Sequence, residues 1–156
     1  YAIAGLFLGL IVSFILEKRK NIICESSEIL SLAKIFSIEK FFEIDANKVE
    51  ESLFILSKAT LNKSEQLVTF FILDGVNSEN EKQIIKFIKE NYSNSKIKFI
   101  KTIREIDSNS KLILVSSLGT IRFNEFTDIN NKLLLLNMKP YGLVVFNQYS
   151  KNNFSI

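Results

Sequence analysis

The chain has 156 residues, 47% of them hydrophobic, which suits one domain with a substantial core and excludes a disordered chain. Its net charge of +3 rests on scattered lysines rather than a basic stripe, so no nucleic-acid partner is expected. With no His and a single Cys, it can form neither a Ser-His-Asp or Cys-His arrangement nor an internal disulfide, and no metal site is expected. Cys24 reads as a small, semi-buried apolar residue.

Residues 1–16, "YAIAGLFLGLIVSFIL", carry no charge and give way to "EKRK" at 17–20. A membrane span takes roughly 20 apolar residues, so this run falls a little short. The chain opens on Tyr1 rather than Met, which predicts a longer parent whose helix starts upstream. A secretory signal carries its positive charge before the apolar core, and here the charge comes after it. A transmembrane helix with a basic stop is therefore expected over 1–20. Lys18, Arg19 and Lys20 place the chain from about residue 17 onward in the cytosol. Gly5, Gly9 and Ser13 recur every four residues, a spacing that lets membrane helices pack closely; glycine is also simply common in such helices.

Residues 21–45 read as a juxtamembrane linker carrying one short helix, 26–36, with Ile29, Leu30, Leu32, Ala33 and Phe36 on its apolar face. An α/β domain is expected over 46–149, with a loose polar tail at 150–156. Its first helix places Val49, Leu53, Leu56 and Thr60 on one face, with Asp45 as N-cap. The run "QLVTFFIL" is a buried strand, and Asn77 or Ser78 caps the next helix, whose Ile84, Ile85 and Ile88 face inward. "KIKFIKTI" alternates lysine with apolar residues, as an edge strand does. "KLILVSS" is a second buried strand, followed by a helix ending near Asn137 with Pro140 beyond it, then a third buried strand, "YGLVVFN". Apolar strands separated by helices predict a mostly parallel sheet covered on both faces, a three-layer Rossmann-like architecture. Residues 102–110 are barely long enough for a crossover.

The stretch "ILDGVNSENEKQII" joins the first buried strand to a helix. A strand, a loop opening on Gly and a helix N-terminus form a common phosphate site. This loop and first turn, however, carry Asp74, Glu79 and Glu81.

The order of these features resembles the C-terminal end of bacterial polysaccharide chain-length determinants fused to a tyrosine-kinase-like P-loop domain. The membrane helix and "EKRK", the short helix "SSEILSLAKIF", the helix "EESLFILSK" and the strand–loop–helix keep that family's order. "LVSSLGTIR" and "GLVVFN" are similar to its later strand–turn–helix and final strand. The family's Walker A loop, G-x-x-x-x-G-K-[ST], needs glycines for backbone approach, Lys for charge and a hydroxyl for magnesium. Counted from Gly75, those places hold Asn80, Glu81 and Lys82. Replacing Lys by Glu turns an attraction of about 4 kcal/mol at close range into repulsion. The acidic magnesium motifs are also missing: Arg104 and Glu105 come after one strand, and Ser116 and Ser117 end another. The arginines of the family's E-x-x-R-x-x-R motif fall on Phe54 and Ser57, after Glu51. Tyr141 and Tyr149 do not make its tyrosine cluster.

The resemblance implies a degenerate P-loop domain with no catalytic residues and no cofactor. It implies a pseudo-kinase at the cytosolic face of the bacterial inner membrane, regulating chain length in surface polysaccharide (O-antigen or exopolysaccharide) biosynthesis and export. The expected partners are the lipid bilayer, polysaccharide assembly proteins and further copies of the chain, met through the membrane helix and the region upstream. The alternatives are an active ATP-dependent tyrosine kinase or ATPase, or an unrelated membrane-anchored regulatory domain in which Asp74 is a receiver-like acceptor.

Overall fold

The computed structural model describes residues 5, 7, 9–13, 22–23, 25–61, 66–92 and 96–147. Among them, helices α1 (Ser26–Ile35), α2 (Val49–Leu61), α3 (Ser78–Asn91) and α4 (Phe123–Leu135) alternate with strands β1 (Lys40–Asp45), β2 (Val68–Ile72), β3 (Ile97–Ile100), β4 (Lys111–Ser117) and β5 (Gly142–Asn147). The strands form one sheet in the order β1-β5-β4-β2-β3, and every pairing is parallel.

Strand side chains alternate between two cores. Leu112, Leu114 and Leu118 pack with Phe71, Leu73, Leu143 and Val145 under α1 and α4, through Ile29, Leu32, Phe126 and Leu133. Ile113 and Val115 pack with Phe70, Ile72, Val144 and Phe146 under α2 and α3, through Leu53, Leu56, Ile84 and Ile88. The result is a Rossmann-like α/β/α layering. Phe70 and Phe99 stack at 5.3 Å between centroids and tie β2 to the edge strand β3.

The helix ends obey local chemistry. Asn77 caps α3 by accepting the Glu79 N–H at 3.0 Å. α1 and α4 end alike: Ser37 (φ +54°) and Asn137 (φ +53°) take the left-handed conformation. Beyond them, Ile38 and Met138 donate to the Ala33 and Leu133 carbonyls, both at 2.8 Å. Asp45 closes β1, and its carboxylate accepts the Asn47 N–H at 2.8 Å, making the turn that leads into α2.

The segment read as a linker is part of the domain. β1 pairs with β5 along its whole length, Ile44 is buried, and α1 contributes Ile29, Leu32 and Ala33 to the core. Further upstream, Ile23 donates to the Ile121 carbonyl at 3.0 Å and accepts from Gly119 N–H at 2.8 Å. β1 escapes a pattern-based reading because it lies at the sheet edge, where Lys40 and Glu43 stay exposed and only Ile44 is fully covered.

β3 is the opposite edge and is shorter than "KIKFIKTI" suggests, because the chain turns into a 3-10 segment at Ile103–Glu105. The Thr102 hydroxyl donates to Glu105 there, and residues 101–110 carry the chain past β2 to β4. On α1, Leu30 is more exposed than its predicted place on the apolar face, while Ile29 and Leu32 carry the contact.

At the N-terminus, the described residues Gly5, Phe7 and 9–13 are helical and exposed, and nothing lies within 4 Å of a Cβ built at Gly5 or Gly9. No helix among the described residues is long and apolar enough to cross a membrane. Most of the expected span, the basic residues Lys18, Arg19 and Lys20, and the tail at 150–156 lie outside the described residues.

Candidate functional site

Parallel α/β sheets bind ligands beyond the C-terminal ends of strands, where neighbouring connections leave in opposite directions. Here that place lies between β2 and β4, since β2 leads outward to β3 while β4 leads the other way to β5. Two loops meet above it, residues 73–77 after β2 and 118–121 after β4.

The loops are packed against one another. Gly75 has φ +87°, and a Cβ placed there would come within 2.9 Å of the Thr120 Cβ. Thr120 is itself held by its hydroxyl, which donates to the Ser117 carbonyl at 2.9 Å. Leu73 N–H donates to the Val115 carbonyl at 2.9 Å, fastening the first loop to β4. The glycine that a phosphate loop would use for close approach to its ligand is used here for close approach to a threonine side chain.

The helix also starts early. α3 begins at Ser78, so Asn80, Glu81 and Lys82 lie within it rather than in a loop ahead of it. Two backbone donors of the first turn are already engaged by Asn77. Glu79 N–H goes to the Asn77 side chain, and Glu81 N–H goes to the Asn77 carbonyl at 3.0 Å. The Glu81 carboxylate is largely covered and pairs with Lys101 at 2.8 Å, linking α3 to the end of β3. Lys82 is exposed. Asn80 lines a recess of about 70 Å³ with Glu79, Gln83 and Asn147. The four Walker A positions, Gly75, Asn80, Glu81 and Lys82, therefore do not converge on one point.

A larger cleft, about 280 Å³, opens on the α1/α4 side of the same sheet edge. Its floor is apolar, with Phe71, Leu73, Ile103, Ile121 and Ile129, and its rim carries Asp74, Glu125, Asp128 and Lys132. Asp128 pairs with Lys132 at 2.6 Å and Glu125 meets Arg122 at 4.0 Å. Sequence reasoning singled out Asp74 and missed its two companions on α4. Their one local signal is an i, i+3 spacing of acids, and only the β2–β4 pairing brings them to Asp74. Among the described residues, no three carboxylate, His or Cys side chains gather closely enough to hold a metal ion.

Comparison of the chain with protein-family models, characterised proteins and solved structures finds no match. The chemistry of the site thus rests on its own geometry. The sequence contains no His, and the Ser116 and Ser117 hydroxyls at the end of β4 are buried. The cleft offers an apolar floor and the carboxylates of Asp74, Glu125 and Asp128 at its rim.

Proposed function

We propose that the chain is the non-enzymatic, membrane-anchored cytosolic end of a polysaccharide co-polymerase, with a degenerate P-loop domain. In this reading it regulates chain length in surface polysaccharide assembly at the bacterial inner membrane, acting through oligomerisation and partner contacts. The order of segments supports it: an apolar N-terminal stretch, a basic stop, a short helix, then a parallel α/β domain. The observation that carries the non-enzymatic half is the β2–α3 junction. Thr120 packs over Gly75, α3 begins at Ser78, and Glu81 stands where a phosphate-binding lysine would be needed.

Two measurements test the reading. Titration calorimetry of the full chain with ATP and magnesium is expected to give no heat of binding at millimolar nucleotide; saturable binding would favour the ATP-dependent kinase instead. Deleting the gene is expected to alter the length distribution of the surface polysaccharide on a gel. A copy carrying Lys82→Ala should restore it, since no phosphate contact is lost. An unchanged distribution after deletion would overturn the assignment.

A further inference from the structure

Three of the four links between successive strands carry an α-helix, but β3 reaches β4 through residues 101–110 with a single 3-10 turn, Ile103–Glu105. Ile103 and Ile106 pack against the core under α1 and α4, so this link crosses β2 on that face. A helix in that place would cover Phe71 and Leu73. The short link does not, and a slot remains between Ile103 and α4. That slot is the cleft of about 280 Å³ beyond the C-terminal ends of β2 and β4, where parallel α/β sheets hold ligands.

The lining sets the chemistry of the occupant. Phe71, Leu73 and Ile121 are buried, and the half-buried Ile103 and Ile129 complete the apolar part. Three acids and one base stand around it: Asp74, Glu125, Asp128 and Lys132, all exposed. Lys132 is held by Asp128 at 2.6 Å, while the Asp74 side chain has no ion-pair or hydrogen-bond partner among the described residues. Arg122, 4.0 Å from Glu125, and Arg104 stand outside the lining. Ser116 follows Val115, the residue that accepts the Leu73 N–H, and shares the sheet face of Leu114. Its buried hydroxyl has no partner among the described residues, so an unpaired polar group lies beside the apolar floor. The excess of carboxylates repels phosphates and other anions. The volume is close to the lower end of the usual range for small-molecule sites, about 300–1,000 Å³, and suits one ring or a short branched chain.

We infer that this cleft binds a small organic cation, an ammonium carried on an aromatic or branched aliphatic body. The body lies over Phe71, Leu73 and Ile121, and the charged head meets Asp74 and the α4 carboxylates at the rim. The site is separate from Asn80, Glu81 and Lys82, which α3 carries on the opposite face of the sheet.

Isoleucine-methyl NMR spectra of the full chain in nonionic detergent, titrated with phenethylammonium chloride, test the site. The uncharged phenethyl alcohol and the anion phenylacetate serve as counterparts of similar shape. Ile103, Ile121 and Ile129 are expected to shift saturably with the ammonium, about fivefold more weakly with the alcohol, and not with phenylacetate. Asp74→Asn is expected to weaken ammonium binding about fivefold, whereas Lys132→Gln tightens it by releasing the Asp128 carboxylate to the ligand. Both positions are exposed, so unchanged methyl signals elsewhere verify that the variants fold. Equal affinity for ammonium and alcohol would show an apolar pocket indifferent to charge and overturn the assignment. Tighter binding of phenylacetate, shifts spread over all isoleucines without saturation, or an Asp74→Asn chain that binds as the parent does would each overturn it too. Weaker binding by Lys132→Gln overturns the placement of the charged head at the rim.

Discussion

Gly75 concentrates two demands in one residue. Its φ of +87° disfavours any L side chain, and a Cβ would enter the space held by Thr120. Gly75→Ala is therefore expected to destabilise the domain by about 1–3 kcal/mol in urea unfolding, although the site is exposed and no ligand contact is removed. A neutral result would mean that the two loops separate readily and that the packing over Gly75 is unimportant. Thr69 makes the opposite case. Its hydroxyl is fully buried in β2 and has no hydrogen-bond partner among the described residues, like those of Ser116 and Ser117. Thr69→Val keeps the shape and removes the orphaned group, so a gain of about 1 kcal/mol is expected in the same assay. Local roles of this size are partly legible in the sequence: residue type and position narrow the α3 cap to Asn77 or Ser78, and the structure decides for Asn77. The Glu81–Lys101 pair is not, because it needs β2 and β3 to be neighbours before either charge has an address.

The strands divide by how much of each is covered. β2, β4 and β5 are buried almost end to end and read as unbroken apolar runs, which is why a parallel sheet is legible in the sequence. β1 is covered on one edge only, and its sequence "KFFEID" mixes charge with aromatic residues, so its pattern matches neither template cleanly. What marks it as a strand is its partner, β5, roughly a hundred residues later and invisible to any local window. Ile44 shows whether that pairing matters. It is 1% exposed and packs in the core under α2, so Ile44→Ala is expected to cost about 2–5 kcal/mol, as a core deletion does. In a linker the same change would cost nothing measurable, so a chevron or urea titration within error of the parent would remove β1 from the cooperative unit.

The strand order decides where the domain begins. The sheet runs β1-β5-β4-β2-β3, so the first strand closes the edge beside the last. A truncation at residue 46, the boundary drawn from composition, would strip β5 of its outer partner and expose Val144 and Phe146 next to it. It would also remove α1 and Ile23, uncovering part of the core beneath Leu143 and Val145. A chain starting at residue 22 keeps all of these, because Ile23 is the first buried residue among those described and the bridge to Arg122 starts at Ile22. The expectation is that 22–156 unfolds in one cooperative urea transition with dispersed amide resonances, while 46–156 is aggregated or partly folded. The comparison also bears on how the molecule is anchored. If 22–156 folds alone, the domain needs nothing from the N-terminal helix for its stability, and that helix is free to serve attachment. If instead only the full chain folds, residues 1–21 supply core contacts, and the apolar N-terminus belongs to the fold before it belongs to a membrane.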